Sequence, residues 1–325
     1  MRRYQENRLS RLSLLSCAGL ALMLSARLLL GGQATPAWVT AMRTYPPVMP
    51  DSRVESYKTI GPTNLQLYIF APKDHAATNH RPAIVFFFGG GWTSGSPQQF
   101  EKACQYFASR GMVAITADYR VASRQGAKPV QCVADAKSAI RWLRRSAARL
   151  GIDPDRIVAS GGSAGGQLAA CAALVPGLDE PGEDTSVSAT PNAAVLFNPV
   201  LVLGPLDGQT NASPGSRFTA KQLGVEPQQL SPGHHIRPGE PPMIIFHGRA
   251  DAVVPFATAE AFAAKMKAAG NRCELVGFDG QGHGFFNYGF GDNAFFLQTV
   301  KRADEFLASL GYLSGPPQVE KFLKP

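Results

Sequence analysis

Residues Arg156 to Leu174 read RIVASGGSAGGQLAACAAL. A short β-branched run, Ile157-Val158-Ala159, meets Gly161-Gly162-Ser163-Ala164-Gly165-Gly166 and then opens into an Ala/Leu-rich helical pattern. Strand, glycine-bracketed serine and helix in direct succession predict a sharp turn with the serine at its tip, the G-x-S-x-G nucleophile elbow. So tight a turn strains the serine backbone, and side chains two residues to either side would collide with strand or helix. Ser163 is thereby lifted clear of the sheet. The free N–H groups at the start of the helix, from Ala164 onward, offer positive potential to a developing oxyanion. Gly-Ser strings are ordinarily loops, so this reading rests on its surroundings.

Working outward, Val54 to Ile60 and Leu65 to Phe70 are extended stretches joined by Gly61-Pro62-Thr63-Asn64, an opening β-hairpin. The run Pro82-Ala83-Ile84-Val85-Phe86-Phe87-Phe88 is almost wholly apolar, as in a parallel strand buried on both faces, and Gly89-Gly90-Gly91-Trp92 follows at once. A helix is expected over 97–110, a strand over 112–117, and a longer helix from Pro129 through Leu150, closing at Gly151. After the elbow come strands at 193–197, 243–246 and 273–278, with helices at 256–269 and 294–310. Strands and helices thus alternate from about residue 83, which predicts an α/β fold: one domain with a mostly parallel sheet and helices on both faces. This domain is placed at 54–325, after a proline-rich lead at 35–53. The segment Asn198 to Pro242 has many prolines and glycines and no sustained periodicity, so it is either a lid or a surface loop.

The N-terminus stands apart. Arg2, Arg3, Arg8 and Arg11 precede an apolar run from Leu12 to Leu30, and small residues at Gly32 and Ala34 suit cleavage after Ala34. Residues 1–34 read as a signal peptide of a secreted or periplasmic protein, and Arg27 interrupts the run short of the ~20 apolar residues a membrane span needs. Those residues carry five arginines and one glutamate, half of the formal +8 charge, and no Lys/Arg block with interleaved aromatics occurs, which argues against a nucleic-acid partner. Cys104, Cys132, Cys171 and Cys273 remain beyond the leader; export would permit disulfides, with three possible pairings. Cys171 and Cys273 also suit small core positions, and without a C-x-x-C pair no zinc site or other metal or cofactor is expected.

A serine hydroxyl needs a base within hydrogen-bond reach, and that base a carboxylate to fix its tautomer. Open α/β sheets gather such groups at the carboxyl ends of their strands. Ser163, Asp251 and His283 each lie just past a strand end, in the chain order Ser, Asp, His. His247 would precede its acid and reads as packing beside the acid loop; Asp279 is the rival acid. His234 and His235 lie in the insert, and His75 and His80 read as loop residues. The bare amides of Gly90 and Gly91, with that of Ala164, are the candidate oxyanion donors, and Trp92 is a candidate substrate contact.

From about Val54 to Leu310 the chain resembles the α/β-hydrolases, and within them the hormone-sensitive-lipase-like esterases. GGSAGG resembles that group's GDSAGG, and FGGGW its HGGGW. DYR (118–120), ADAKSAIRWLR (134–144), HGRADAVVP and GQGHGF resemble the domain named for bifunctional feruloyl and acetyl-xylan esterases. Phe88 stands where that group has His, and Gly162 where it has an acidic residue. The resemblance implies a serine carboxylesterase acting on short or aromatic acyl esters, small or attached to plant polysaccharide. A lipase or polyester hydrolase is a close alternative, separable by acyl-chain preference. A prolyl-oligopeptidase-like peptidase normally carries a further domain before the hydrolase, and a silent binding module usually lacks one of Ser, His or acid.

Overall fold

The structure is a computed structural model, and it describes residues 35–206 and 218–324. The leader expected at 1–34 and part of the insert lie outside the described residues. Eight strands form one sheet: β1 (Arg53–Ile60), β2 (Thr63–Phe70), β3 (Arg81–Phe87), β4 (Val113–Ala117), β5 (Ile152–Gly162), β6 (Ala193–Phe197), β7 (Met243–Gly248) and β8 (Cys273–Phe278). Their spatial order is β1-β2-β4-β3-β5-β6-β7-β8. β1 and β2 pair antiparallel, as does β2 with β4, and every later pairing is parallel.

The strand sequences explain why both faces are covered. Along β3, Ala83, Val85 and Phe87 enter one apolar core while Ile84 and Phe86 enter the other. Phe86, Phe87 and Phe88 have no solvent exposure, and each fully buried phenyl contributes roughly 1.5–3 kcal/mol. Helices α1 (Ala37–Arg43), α2 (Glu101–Ser109), α3 (Pro129–Arg145), α4 (Ala164–Leu174), α5 (Phe256–Ala268) and α6 (Ala294–Ser309) surround the sheet. The apolar residues of α3, α4 and α5 join the first core, those of α2 and α6 the second. The connection after β3 runs to β4 on one side, and that after β5 to β6 on the other. A crevice therefore opens between the carboxyl ends of β3 and β5, the switch point of such sheets.

Three local features depart from the sequence reading. The helix expected through Leu150 is interrupted at Ser146, and a separate turn, Ala147–Leu150, ends on Gly151 at φ +62°. The proline-rich lead contains α1, where Val39 is buried and Trp38 meets Phe290 with ring centroids 6.0 Å apart. The insert is not a surface loop where it is described: Val200, Leu201, Val202, Leu203, Leu206, Leu223 and Leu230 are buried in the first core.

The irregular segment after α4 is held by charged groups of α3. Lys137 donates to the carbonyls of Val175 and Gly177, Arg141 to that of Val187, and Arg144 to those of Ser188 and Thr190. Arg141 also pairs with Asp179 and Glu183. Asp135, fully buried, is met by both Lys58 and Arg120, so its charge is not left bare. Cys104, Cys132, Cys171 and Cys273 are all buried and unpaired, so no disulfide forms among them.

α4 begins in direct contact with β3. A Cβ built on Gly165 would lie 2.0 Å from the Phe87 carbonyl oxygen and 2.4 Å from that of Phe88, both rigid backbone. Gly165→Ala is therefore expected to cost ~3 kcal/mol or more, read as a fall of about 6–12 °C in thermal midpoint. Calorimetry of the purified variant checks this; an unchanged midpoint contradicts the close packing.

Candidate active site

The elbow takes its form from backbone sterics. Ser163 sits at φ +54°, ψ −119°, a region that L-residues rarely occupy, between the end of β5 and the first residue of α4. Its amide is fixed to the Phe197 carbonyl at 2.8 Å, and its carbonyl accepts from the Gln167 amide at 3.0 Å. A Cβ on Gly162 would lie 2.6 Å from Cζ of Phe286. The place of the acidic residue that Gly162 replaces is thus filled by a phenyl ring, which stacks on Phe197 at 4.8 Å.

His283 lies on the loop after β8 and Asp251 on the loop after β7. The imidazole Nε2 is 2.8 Å from Ser163 Oγ, and Nδ1 is 2.8 Å from Asp251 Oδ2. A carboxylate only accepts, so Nδ1 carries the proton and Nε2 presents its lone pair to the serine hydroxyl. Asp251 is fully committed: Oδ1 accepts from the amides of Val253 and Val254 at 2.8 and 2.9 Å, while Oδ2 also accepts from Asn198 Nδ2 at 2.7 Å. Burial works to raise its pKa. The donors aimed at it from His247 and His283, the charge of His283 and the Val254 amide outweigh that and hold it well below the usual carboxylate range.

The remaining candidates fall elsewhere. His247 donates through Nε2 to the Val254 carbonyl at 2.8 Å and leans on Asp251 Oδ2 at 3.4 Å, bracing the acid loop from beneath. Asp279 is exposed and paired with Arg249 at 2.9 Å, away from His283. His234 bonds to Ser231 and Pro205, and His235 to Gln228, all within the insert. His75 bonds to the Leu150 carbonyl, and His80 takes φ +49° in its loop. No three His, Cys, Asp or Glu side chains cluster to hold a metal among the described residues.

The glycine loop borders the elbow: a Cβ on Gly89 would stand 3.4 Å from Ser163 Cβ. Gly90 is at φ +126°, and a Cβ there would overlap the Ser94 carbonyl oxygen at 2.1 Å. The Gly90 carbonyl accepts from the amides of Thr93 and Ser94. The amides of Gly90, Gly91 and Ala164 donate to no acceptor among the described residues. Trp92 is almost fully buried; its indole N–H is bound to Gln167 Oε1 at 3.1 Å, and its ring meets Phe218 edge-on. Phe88, in the position of a histidine in the resembled group, lies flat on Tyr119 with centroids 4.0 Å apart, and the Tyr119 hydroxyl donates to the Phe88 carbonyl at 2.7 Å.

Three residues at this site carried no motif signal. Asn198 follows directly on β6 at the same sheet edge, at φ +44°, and an asparagine just past a strand end was the available sign. Gln99 and Asn287 bind the two loops from opposite sides, and nothing in their sequence neighbourhoods sets them apart.

An eight-stranded, mostly parallel sheet with a serine on a strained strand-to-helix turn and its His and Asp at neighbouring strand ends is the α/β-hydrolase fold. Within it, the chain belongs to the BD-FAE family, which it matches over residues 67–266. It is 31% identical over 253 residues to the probable carboxylic ester hydrolase LipM of Mycobacterium tuberculosis, covering 73% of this chain and 56% of that protein. It is 29% identical to esterase LipC of the same organism, covering 64% of this chain and 54% of that one. The chain therefore spans about half the length of these curated relatives. Among solved structures it resembles Thermogutta terrifontis esterase 2 in its propionate-bound form, with TM-score 0.80 and 57% identity, covering 84% of this chain and 99% of that one. The butyrate-bound form and the form phosphorylated by paraoxon match at 56% identity with TM-scores of 0.80 and 0.78, covering 83% and 84% of this chain and 98% and 99% of theirs.

Because Asp251 accepts on every side, Asp251→Asn turns an N–H toward a donor and removes the charge behind His283. Turnover of any substrate that Ser163 attacks is expected to fall roughly 10⁴-fold. The depressed carboxyl also sets a pH dependence. Its stabilising effect is fully present above the unfolded value near ~4 and is lost as pH falls through the lower folded value. Acid titrations of unfolding should show the stability gap between wild type and Asp251→Asn narrowing below about pH 4; a gap independent of pH contradicts the assignment.

Proposed function

We propose that the protein is a serine carboxylesterase that cleaves short-chain acyl esters through an acyl-enzyme. The observation that carries this reading is the unbroken line Ser163 Oγ, His283 Nε2, His283 Nδ1 and Asp251 Oδ2, with 2.8 Å at each hydrogen bond, beside three unspent backbone amides. His283 Nε2 takes the hydroxyl proton as Ser163 Oγ attacks the ester carbonyl. The resulting imidazolium is stabilised by Asp251, which keeps its own charge. The carbonyl oxygen becomes an oxyanion and receives the amides of Gly90, Gly91 and Ala164, an arrangement that acts where charge develops. His283 then gives its proton to the leaving alkoxide. Water, deprotonated by the same nitrogen, releases the acid and restores Ser163.

Preference for short acyl groups is supported by the propionate-bound and butyrate-bound forms of the similar esterase. The resemblance of the segments at 118–120 and 134–144, HGRADAVVP and GQGHGF to the domain named for bifunctional feruloyl and acetyl-xylan esterases supports an aromatic acyl or acetyl ester on plant polysaccharide as the natural substrate. The charge and hydropathy pattern of residues 1–34 supports export with cleavage before Thr35, which N-terminal sequencing of the mature protein tests.

Wild type should hydrolyse p-nitrophenyl acetate, propionate and butyrate faster than the decanoate, and Ser163→Ala should lose at least about 10⁴-fold in kcat. Equal rates for wild type and Ser163→Ala would end the reading. A preference for long chains would point instead to a lipase. Release of acetate from acetylated xylan, compared with the aryl ester, tests the polysaccharide substrate.

A further inference from the structure

Three successive glycines have no side chains to fix them, and their backbone is the freest in the chain. The Gly90 and Gly91 amides can converge on one oxyanion only if the segment is anchored at its ends. The turn closed by Thr93 and Ser94 on the Gly90 carbonyl supplies one anchor. At the other end, the Gly89 amide donates to Gln99 Oε1 at 2.7 Å. Gln99 Nε2 donates in turn to Asn287 Oδ1 at 2.8 Å, and Asn287 Nδ2 donates to the Gly284 carbonyl at 2.8 Å. Gly284 is the residue next to His283, at φ +84°.

The direction of every bond in this chain is forced from its ends. A backbone N–H only donates, so the oxygen of Gln99 faces Gly89 and its NH₂ faces Asn287. A carbonyl only accepts, so the NH₂ of Asn287 faces Gly284 and its oxygen faces Gln99. Each side-chain amide therefore has one orientation, and Asn287 is buried where water competes little. The chain crosses between two elements with no backbone hydrogen bond to each other, the glycine loop after β3 and the histidine loop after β8.

We infer that Gln99 and Asn287 are positioning residues that lock the oxyanion loop to the His283 loop, so that donors and base are set in register with one another. This rests on the esterase reading above. It also explains how the loop is ordered with Phe88, rather than a histidine, before the glycines: the ring is stacked on Tyr119, and the polar link is made one residue later, from Gly89.

The test uses full-length protein and p-nitrophenyl acetate. Gln99→Leu and Asn287→Leu should each lower kcat roughly 10- to 100-fold, the scale of a misplaced reacting group, with KM changed less than about threefold. The double variant should be no slower than the worse single one, since either break severs the same chain. Gln99→Glu preserves shape: its carboxylate still accepts from Gly89 but turns a second acceptor on Asn287 until protonated. The ratio of its kcat to that of wild type should therefore rise as pH falls, which a purely structural role would not produce. Wild-type kcat in both leucine variants, losses that multiply in the double variant, or a pH-independent ratio for Gln99→Glu each overturn the inference. Wild type inert to both the ester and a fluorophosphonate probe would end the esterase reading and this one with it; wild type active with unaffected variants ends this one alone.

Discussion

A single residue held at φ +54° between a strand and a helix sets the terms for the rest of the molecule. Such backbone costs on the order of 1–3 kcal/mol and persists only where the surroundings over-determine it. Here β6 supplies a carbonyl for the Ser163 amide, α4 supplies its first hydrogen bond, and the carbonyls of Phe87 and Phe88 come so close to Gly165 that no other residue fits. The turn is thus gripped by three neighbours at once. α4 is buried along its whole length, so the strain is offset by the burial of Leu168, Cys171 and Leu174 in the core.

Parallel pairing does the next part of the positioning. With β5, β6, β7 and β8 side by side and pointing the same way, the loops that follow them open on one rim, and residues 120 positions apart come within a hydrogen bond. Four strands contribute: β5 the serine, β6 Asn198, β7 Asp251, and β8 His283. Beneath them His247 ties the acid loop to the strand it leaves, so the carboxylate has little freedom to turn away. Rigidity in this site comes from the sheet and from backbone amides more than from the side chains that touch one another.

The alternation of strands and helices was legible because apolar runs of length five to seven, such as Ala193–Phe197 and Pro82 to Phe88, have few other ways to be buried. The convergence of Ser163, Asp251 and His283 followed from their places at strand ends. What escaped was of two kinds. The break at Ser146 and the helix at Ala37–Arg43 are decided by local capping and by packing against distant rings, which periodicity does not register. The amides of Asn198, Gln99 and Asn287 act through long-range bonds, spanning 188 residues between Gln99 and Asn287, and their residue types are equally at home on any surface. The insert misled for a related reason: prolines and glycines disguise a segment whose leucines and valines are core.

The segment after α4 shows a different economy. Lys137, Arg141 and Arg144 reach it largely through carbonyl oxygens, at Val175, Gly177, Val187, Ser188 and Thr190. Carbonyls are common to all residue types, so where the strap is grasped by its main chain it can accept many different side chains and still lie in the same place. The cations that grasp it cannot be exchanged, nor can the carboxylates of Asp179 and Glu183, which pair with Arg141, and of Glu180, which pairs with Arg120. Sequence freedom and conformational freedom are therefore uncoupled over 187–190, where the helix bears the constraint and the strap can vary in composition without becoming loose, whereas at Asp179, Glu180 and Glu183 the two remain tied.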